Sequence, residues 1–195
     1  MEITTQTIQK LRHETGAGIM DAKKALQESG GDYAKAIGWL KKRGQKIALS
    51  KQSRKTKEGV IGYYIHANAK VAALVALVCE SDFVAKTDDF KELAHDLAMQ
   101  VAATDPQYIS PENVPADIIE GEKEIYRAQL KSEGKPEKIW EKVITGKLDK
   151  FFSENCLLKQ VFIKDDGKTI EQLIQARVLK LGENIQVRAI KRMAL

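Results

Sequence analysis

Asp88 and Asp89 place two carboxylates side by side, and carboxylates are among the groups that perform general acid–base catalysis. Thr87 stands directly before them. A hydroxyl followed by acidic residues is typical of the first turn of a helix, where the side-chain oxygen caps the backbone and the helix dipole stabilises anions. We therefore interpret this pair as the start of a helix rather than as a catalytic site.

The other residue types that often carry chemistry also lack the necessary spacing. The three histidines have no Cys or His partner at the spacing of metal ligands. The run Gly16-Ala17-Gly18 lacks both the Lys-Ser/Thr ending and the preceding strand of a phosphate-binding loop. No Ser occupies a nucleophile elbow, and neither Cys79 nor Cys156 has a catalytic signature around it. The sequence therefore predicts no enzyme active site, no metal and no cofactor.

One aromatic residue occupies a position in a turn where a small, polar residue would normally stand. Phe83 follows the most apolar run of the chain, Val71–Cys79, and precedes a helical pattern that ends near Ala103. It lies two helical turns before Phe90, so a single unbroken helix would place both rings on the core face. Periodicity by itself favours this core role for Phe83.

Two hydroxyl residues favour a different arrangement. Ser81 and Thr87 are both suited to capping a helix, which indicates a helix that starts in two steps. A break between the steps would rotate Phe83 out of phase with Phe90 and leave it at a protruding tip beside Asp82. The residues alone are compatible with both arrangements.

Residues 1–44 are predicted to form a compact bundle of three short helices. The first is expected to stop at Gly16 and the second at Gly30-Gly31. Asp32 is placed to cap the third helix, which is predicted to end at Gly44.

Residues 45–58 are predicted to be a basic linker, with helix at its start as one option. The cations of this stretch stand among polar residues and are Lys46, Lys51, Arg54, Lys55 and Lys57. A nucleic-acid-binding arm is the alternative interpretation. The absence of interleaved aromatic residues favours a solvated connector instead.

Residues 59–195 are predicted to form an α+β domain. Val60–His66 and Val71–Cys79 have the composition of paired strands, and an alternating strand around Ile185 closes the chain. The three strands would form an antiparallel sheet backed by helices. Lys164–Lys168 is predicted to be a turn. Both faces of the Val71–Cys79 strand are apolar, so a helix is expected on one face and another subunit or element on the other.

The length, composition and net charge of the chain limit the functions that it can have. It has 195 residues, 43% of them hydrophobic, and a formal net charge of +5, which would suit a nucleic acid or an acidic protein surface. No apolar run approaches the ~18 residues of a membrane span. The N-terminal residues lack the features of a signal peptide. The two cysteines form no paired motif, so a cytoplasmic, reduced setting is predicted.

Two well-separated motifs resemble one known family, the bacterial translation elongation factors Ts. The first spans Leu11–Leu26 with the sequence LRHETGAGIMDAKKAL and continues with Gly31-Asp32 and Lys35-Ala36. The second spans Cys79–Lys86 with the sequence CESDFVAK, similar to the Thr-Asp-Phe-Val element of that family. Ser81 replaces the Thr and keeps its capping hydroxyl.

The resemblance implies nucleotide exchange on the GTPase elongation factor Tu, without covalent chemistry by this chain. By similarity, Asp82 and Phe83, flanked by Ser81 and Val84, would enter a gap between helices of the partner and disturb its Mg²⁺ site. The N-terminal bundle would contact the partner at a second place. The motif positions implied there are Leu11, Arg12, Ile19, Met20 and Lys23, of which Leu11 is equally suited to the bundle core.

The resemblance extends through the closing Gly182–Ile185 and is to the short form of the family, without a second subdomain or a C-terminal helical module. We therefore predict a symmetric homodimer through the sheet-bearing domain. Direct binding of nucleic acid or membrane is not predicted. Two other classes remain as alternatives: a basic RNA- or DNA-binding adaptor, and a scaffold whose bundle holds peptides.

Overall fold

The structure, a computed structural model, describes residues 3–195, so Met1 and Glu2 of the predicted bundle lie outside the described residues. Within this range no helix is long and apolar enough to cross a membrane. The elements follow in the order α1 (Thr5–Thr15), α2 (Ile19–Glu28), α3 (Tyr33–Lys51), β1 (Glu58–Ile65), β2 (Val71–Cys79), α4 (Asp82–Ala85), α5 (Asp88–Thr104), α6 (Ala116–Ser132), α7 (Trp140–Asn155), β3 (Val161–Phe162), β4 (Asp165–Thr169), α8 (Ile170–Leu181) and β5 (Gln186–Ala194).

The predicted N-terminal bundle is confirmed. α1 ends where Gly16 adopts φ 68°, a left-handed conformation that glycine tolerates without strain. Asp32 caps α3 by accepting a hydrogen bond from the backbone N–H of Lys35 at 3.0 Å. Small and aliphatic side chains form the bundle core, namely Leu11, Ala17, Ala22, Ala25, Leu26, Ala36 and Leu40.

The prediction that α3 ends at Gly44 is wrong, because the helix continues to Lys51. Gly44 is buried, and a Cβ atom placed on it would lie 3.4 Å from the carbonyl oxygen of Gln175 and 3.9 Å from the Cβ of Leu179. Both of these residues belong to α8. The glycine therefore serves close packing of α3 against α8 and does not stop the helix.

The stretch that follows α3 is held in place along β5. Three side chains between residues 184 and 188 donate hydrogen bonds to backbone carbonyls of this stretch. These bonds run from Asn184 to Gln52 and Arg54, from Gln186 to Gln52, and from Arg188 to Thr56, with lengths between 2.7 and 3.3 Å. The ammonium of Lys51 adds a bond to the carbonyl of Gly182 at 2.5 Å. The connector between the bundle and the sheet is therefore tied to the segment that joins α8 to β5.

The predicted three-stranded antiparallel sheet and the α+β fold are confirmed. The strand order is β1-β2-β5, with Gly62 opposite Val75 and Val75 opposite Ile190. β2 has the same bounds as the predicted strand, Val71–Cys79. α5 packs on the face that carries Gly62, and its buried side chains include Phe90, Leu93 and Leu97.

Ala103–Ile170 forms a second compact unit, separate from the unit made by the chain up to Ala102 and by Glu171–Leu195. It contains α6, α7 and a short hairpin of β3 and β4. The predicted turn at Lys164–Lys168 is wrong in position, because β4 begins at Asp165 and the turn is Ile163-Lys164. The polar sequence of β4 has no apolar alternation, the signal by which a strand is recognised.

Gly62 is expected not to tolerate a side chain. A Cβ atom at this position would overlap the carbonyl of Ala94 and lie 2.8 Å from its Cβ, so α5 would have to move off the sheet. We expect Gly62→Ala to lower the free energy of unfolding by about 3 kcal/mol, the upper end of ordinary overpacking costs.

Urea unfolding followed by circular dichroism measures this effect, and Gly38→Ala is the matched control. Gly38 lies inside α3, and a Cβ there meets nothing within 4 Å. Because alanine favours helix over glycine, the control should gain up to about 1 kcal/mol. Equal stability of Gly62→Ala and the unsubstituted chain would contradict the close contact between β1 and α5.

Candidate partner-binding site

The helix that follows β2 starts in two steps. Ser81 is extended and its hydroxyl accepts a hydrogen bond from the N–H of Val84 at 3.4 Å, which begins the short α4. Thr87 then accepts from the N–H of Phe90 at 3.3 Å and donates to the carbonyl of Val84 at 2.8 Å, which begins α5. Both predicted caps are therefore used, and the break between them is confirmed.

The break separates two phenylalanines that one continuous helix would have put together. Phe83 in α4 is 80% exposed, whereas Phe90 in α5 has no exposed surface. Ala85 is buried and anchors the short helix, and Val84 is half-buried. The arrangement presents a large apolar ring to solvent at the start of the two-step helix. Such a ring gains most when a partner's pocket removes it from water.

Asp82 stands next to this ring and forms an ion pair with Lys86 one helical turn later, with 2.6 Å between Oδ2 and Nζ. The hydrogen bond from the Lys86 ammonium is the main cause that lowers the pKa of Asp82. The carboxylate is therefore ionised at neutral pH. The tip thus combines an exposed aromatic ring with a negative charge, and we refer to Ser81–Val84 as the tip.

The base of the tip is held by a residue from the far end of the chain. Oε2 of Glu183 accepts from the backbone N–H groups of Glu80 and Ser81, both at 3.0 Å, and Oε1 accepts from the Ser81 hydroxyl at 2.5 Å. In return, Glu80 accepts from the N–H of Asn184 at 2.7 Å. The loop that joins α8 to β5 therefore fixes the end of β2 and the start of α4.

The cysteines of the described chain are unreactive by their surroundings. Burial, with the nearby carboxylate of Glu183 as a second cause, raises the pKa of the Cys79 thiol to about 11. Burial likewise raises the pKa of Cys156 to about 11. Both thiols are therefore protonated at neutral pH and lack the thiolate that acts as a nucleophile. Between residues 3 and 195, no three His, Cys, Asp or Glu side chains are grouped to hold a metal ion.

The N-terminal candidates divide into one core residue and four surface residues. Leu11 has no exposed surface and packs in the bundle core, so it supports the bundle and does not offer its side chain to a partner. Arg12 and Lys23 are exposed, and Ile19 and Met20 open α2 with exposed fractions of 53% and 71%. Arg12, Ile19, Met20 and Lys23 are therefore accessible to a partner.

Comparison with known proteins identifies the same family that both motifs resemble. The family model described as elongation factor TS matches residues 2–194. The chain is 52% identical over 195 residues to elongation factor Ts of Fervidobacterium nodosum, covering 100% of this chain and 99% of that protein. It is 54% identical over 187 residues to elongation factor Ts of Thermotoga maritima, covering 96% of this chain and 93% of that protein.

The chain belongs to the elongation factor Ts family. Elongation factor Ts of Syntrophus aciditrophicus is a third relative, 50% identical over 195 residues, with 100% of this chain and 97% of that protein covered. Each of these matches includes the tip and the α8–β5 loop, so the resemblance does not depend on the two motifs alone.

This member of the elongation factor Ts family has a second apolar surface, on the sheet face opposite α5. We call it the outer sheet face. Its exposed large side chains are Ile61, Tyr63, Ile65, Leu74 and Met193. Pairing places Tyr63 opposite Leu74 and Leu74 opposite Lys191, so these side chains share one face. The apolar character of β2 predicted an uncovered surface, and the register now assigns its residues.

Proposed function

We propose that this chain is a guanine nucleotide exchange factor for the GTPase elongation factor Tu, and that it performs no covalent chemistry of its own. The observation that carries the proposal is Phe83, an aromatic side chain left 80% exposed at a tip beside the ionised Asp82. Membership in the elongation factor Ts family supports it, because resemblance to that family implies this partner and this element. The proposed place of action is the cytoplasm.

In the proposed mechanism the tip acts on the partner's metal. A GTPase holds its nucleotide partly through Mg²⁺, which bridges the phosphates, so disturbing the supports of the metal weakens the binding of GDP. Phe83 is the group suited to enter an apolar gap between helices of the partner. Asp82 stands beside it with a negative charge, and Ser81 and Val84 fix the backbone on either side.

Linkage explains how the factor is released again. If the factor weakens GDP binding by a given ratio, GDP weakens the binding of the factor by the same ratio. A nucleotide that rebinds to the GTPase therefore displaces the factor. GTP binding completes the cycle in this proposal and frees the chain for another round.

We further propose that the chain grips the partner at two places. The bundle of residues 1–44 would supply one contact through Arg12, Ile19, Met20 and Lys23, with Leu11 behind them. Residues 45–58 would connect it to the core domain of residues 59–195, which carries the tip. The hydrogen bonds that tie the connector to β5 and to the loop before it support this arrangement, because a tethered bundle meets a partner with less loss of freedom than a loose one.

We also propose that two copies of the chain associate through the outer sheet face. Five large apolar side chains are exposed across its three strands, with Lys191 on the edge strand β5, so two such faces are chemically alike and suited to each other. Face-to-face packing of two sheets would bury these side chains in a sandwich with a two-fold axis. Such an interface leaves the tip and the bundle to the partner GTPase.

Release of fluorescent GDP from purified elongation factor Tu tests the proposed function. With an excess of unlabelled nucleotide, we expect a substoichiometric amount of the chain to accelerate release, because each copy is displaced and used again. Absence of any acceleration would reject exchange. Steeply salt-dependent binding to RNA together with unchanged GDP release would instead support the nucleic-acid-binding alternative.

A further inference from the structure

We propose that Glu183 is a positioning residue for Phe83: its carboxylate sets the backbone from which the exposed ring projects. The proposal rests on the exchange function proposed above and adds a residue that lies 103 positions from Glu80 in sequence. Glu183 belongs to the closing motif Gly182–Ile185, which lies outside the tip and the bundle.

One carboxylate satisfies three donors at the junction between β2 and α4. The backbone N–H groups of Glu80 and Ser81 would otherwise have no partner within a strand or helix, because β2 has ended and α4 has not begun. Hydrogen bonds to an ionised acceptor are stronger than those between neutral groups. The direction in which the chain leaves the sheet is therefore determined by the position of Glu183.

The hydroxyl of Ser81 links this contact to the helix that carries Phe83. It donates to Glu183 and accepts from the N–H of Val84, so the cap of α4 is oriented by the carboxylate. A helix of one turn has little stability of its own, because nucleation is unfavourable and a single turn adds too few further hydrogen bonds to offset it. α4 therefore depends on its cap and on the buried Ala85 for its place.

The contact is reciprocal, which makes it a fixed junction rather than a single hydrogen bond. Glu80 accepts from the N–H of Asn184 and lies 3.5 Å from the guanidinium of Arg54. Asn184 in turn donates to the carbonyls of Gln52 and Arg54 in the connector. The same loop thus holds both the tip and the connector that leads to the bundle.

The side chain of Phe83 does not fix its own position. Its ring is 80% exposed, so its own side-chain packing contributes little to where it points. An exposed anchor binds best when the backbone beneath it is already in the bound conformation, because less freedom is lost on binding. Glu183 would provide that preorganisation without touching the partner.

A double-mutant cycle on exchange separates positioning from a general effect on the fold. We expect Glu183→Ala to lower the acceleration of GDP release by about tenfold when Phe83 is present. In the Phe83→Ala background the same change should cost less than about twofold, because the ring that it positions is gone. Equal losses in both backgrounds, or no loss in either, would overturn the proposal. An inactive unsubstituted chain would overturn the proposed function, and the role of Glu183 in holding the tip would then be decided by hydrogen exchange of the free chain.

Hydrogen exchange of the free chain gives a second measurement that needs no partner. The amides of Glu80 and Ser81 should be protected in the unsubstituted chain and unprotected in Glu183→Ala, while those of Val75 and Leu77 inside β2 stay protected in both. Unchanged protection of Glu80 and Ser81 would show that Glu183 does not hold the tip. This arm stands even if exchange on the GTPase is not observed.

Glu92→Ala is the matched control for removal of a carboxylate. Glu92 pairs with Arg177 at 2.9 Å in the same compact unit and lies outside the tip and its base. Glu92→Ala should leave exchange unchanged in both backgrounds.

If Glu183→Ala does not fold, Glu183→Gln is measured in its place. We then expect a loss of about threefold, again confined to the background that contains Phe83, because the amide keeps one acceptor oxygen.

Discussion

Phe83→Ala is expected to reduce the acceleration of GDP release from elongation factor Tu by about a hundredfold, equivalent to ~2.7 kcal/mol. The reason is that a large aromatic ring buried in a partner's pocket is the kind of residue whose truncation costs most. Because the ring is 80% exposed in the free chain, the substitution should change the free energy of unfolding by no more than about 0.5 kcal/mol. Stopped-flow fluorescence and thermal unfolding of the same preparation measure both quantities.

Ile125→Ala is the control for losing any exposed apolar side chain. Ile125 is 52% exposed in α6, far in sequence from the tip and the bundle, and its truncation should leave exchange unchanged. Equal acceleration by Phe83→Ala and by the unsubstituted chain would remove Phe83 from the mechanism. A marked loss of stability in Phe83→Ala would point to a packing role for the ring.

The local geometry of the tip could be predicted from the sequence because short-range chemistry determines it. Ser81 and Thr87 are capping residues on either side of Phe83, and each accepts the hydrogen bond expected of a cap. The bounds of β2 were equally predictable, since a continuous apolar run between polar residues is a strong signal. Periodicity alone favoured a core role for Phe83, and the residues left both arrangements open until the family resemblance favoured the exposed one; in the structure both caps form and the ring is exposed.

The support of the tip was not predictable, because it depends on residues distant in sequence. Nothing around Glu183 indicates that its carboxylate accepts from Glu80 and Ser81. Gly44 is a second residue whose role depends on a contact distant in sequence. Its position after an amphipathic helix is typical of a helix end, but contact with α8 gives it a packing role that only the tertiary structure reveals. Local rules therefore describe the elements, and long-range contacts decide how they are held.

Leu74→Lys is expected to convert the proposed homodimer into a monomer. Leu74 lies at the centre of the outer sheet face, between Tyr63 on β1 and Lys191 on β5. A second lysine would stand directly opposite Lys191, where like charges repel. In a two-fold interface the substitution occurs twice, so burying the unpaired charges should weaken association by at least about 4 kcal/mol, or roughly 1,000-fold in Kd.

Sedimentation velocity at micromolar concentration measures the change, with Leu49→Lys as the matched control. Leu49 is also an exposed leucine but lies near the end of α3, so the same substitution there should leave the dimer intact. A lysine at position 74 can extend into water in the free chain, so the secondary structure is expected to persist. A stable monomer of the unsubstituted chain would contradict the proposed dimer. A dimer that tolerates Leu74→Lys would place the interface away from the outer sheet face.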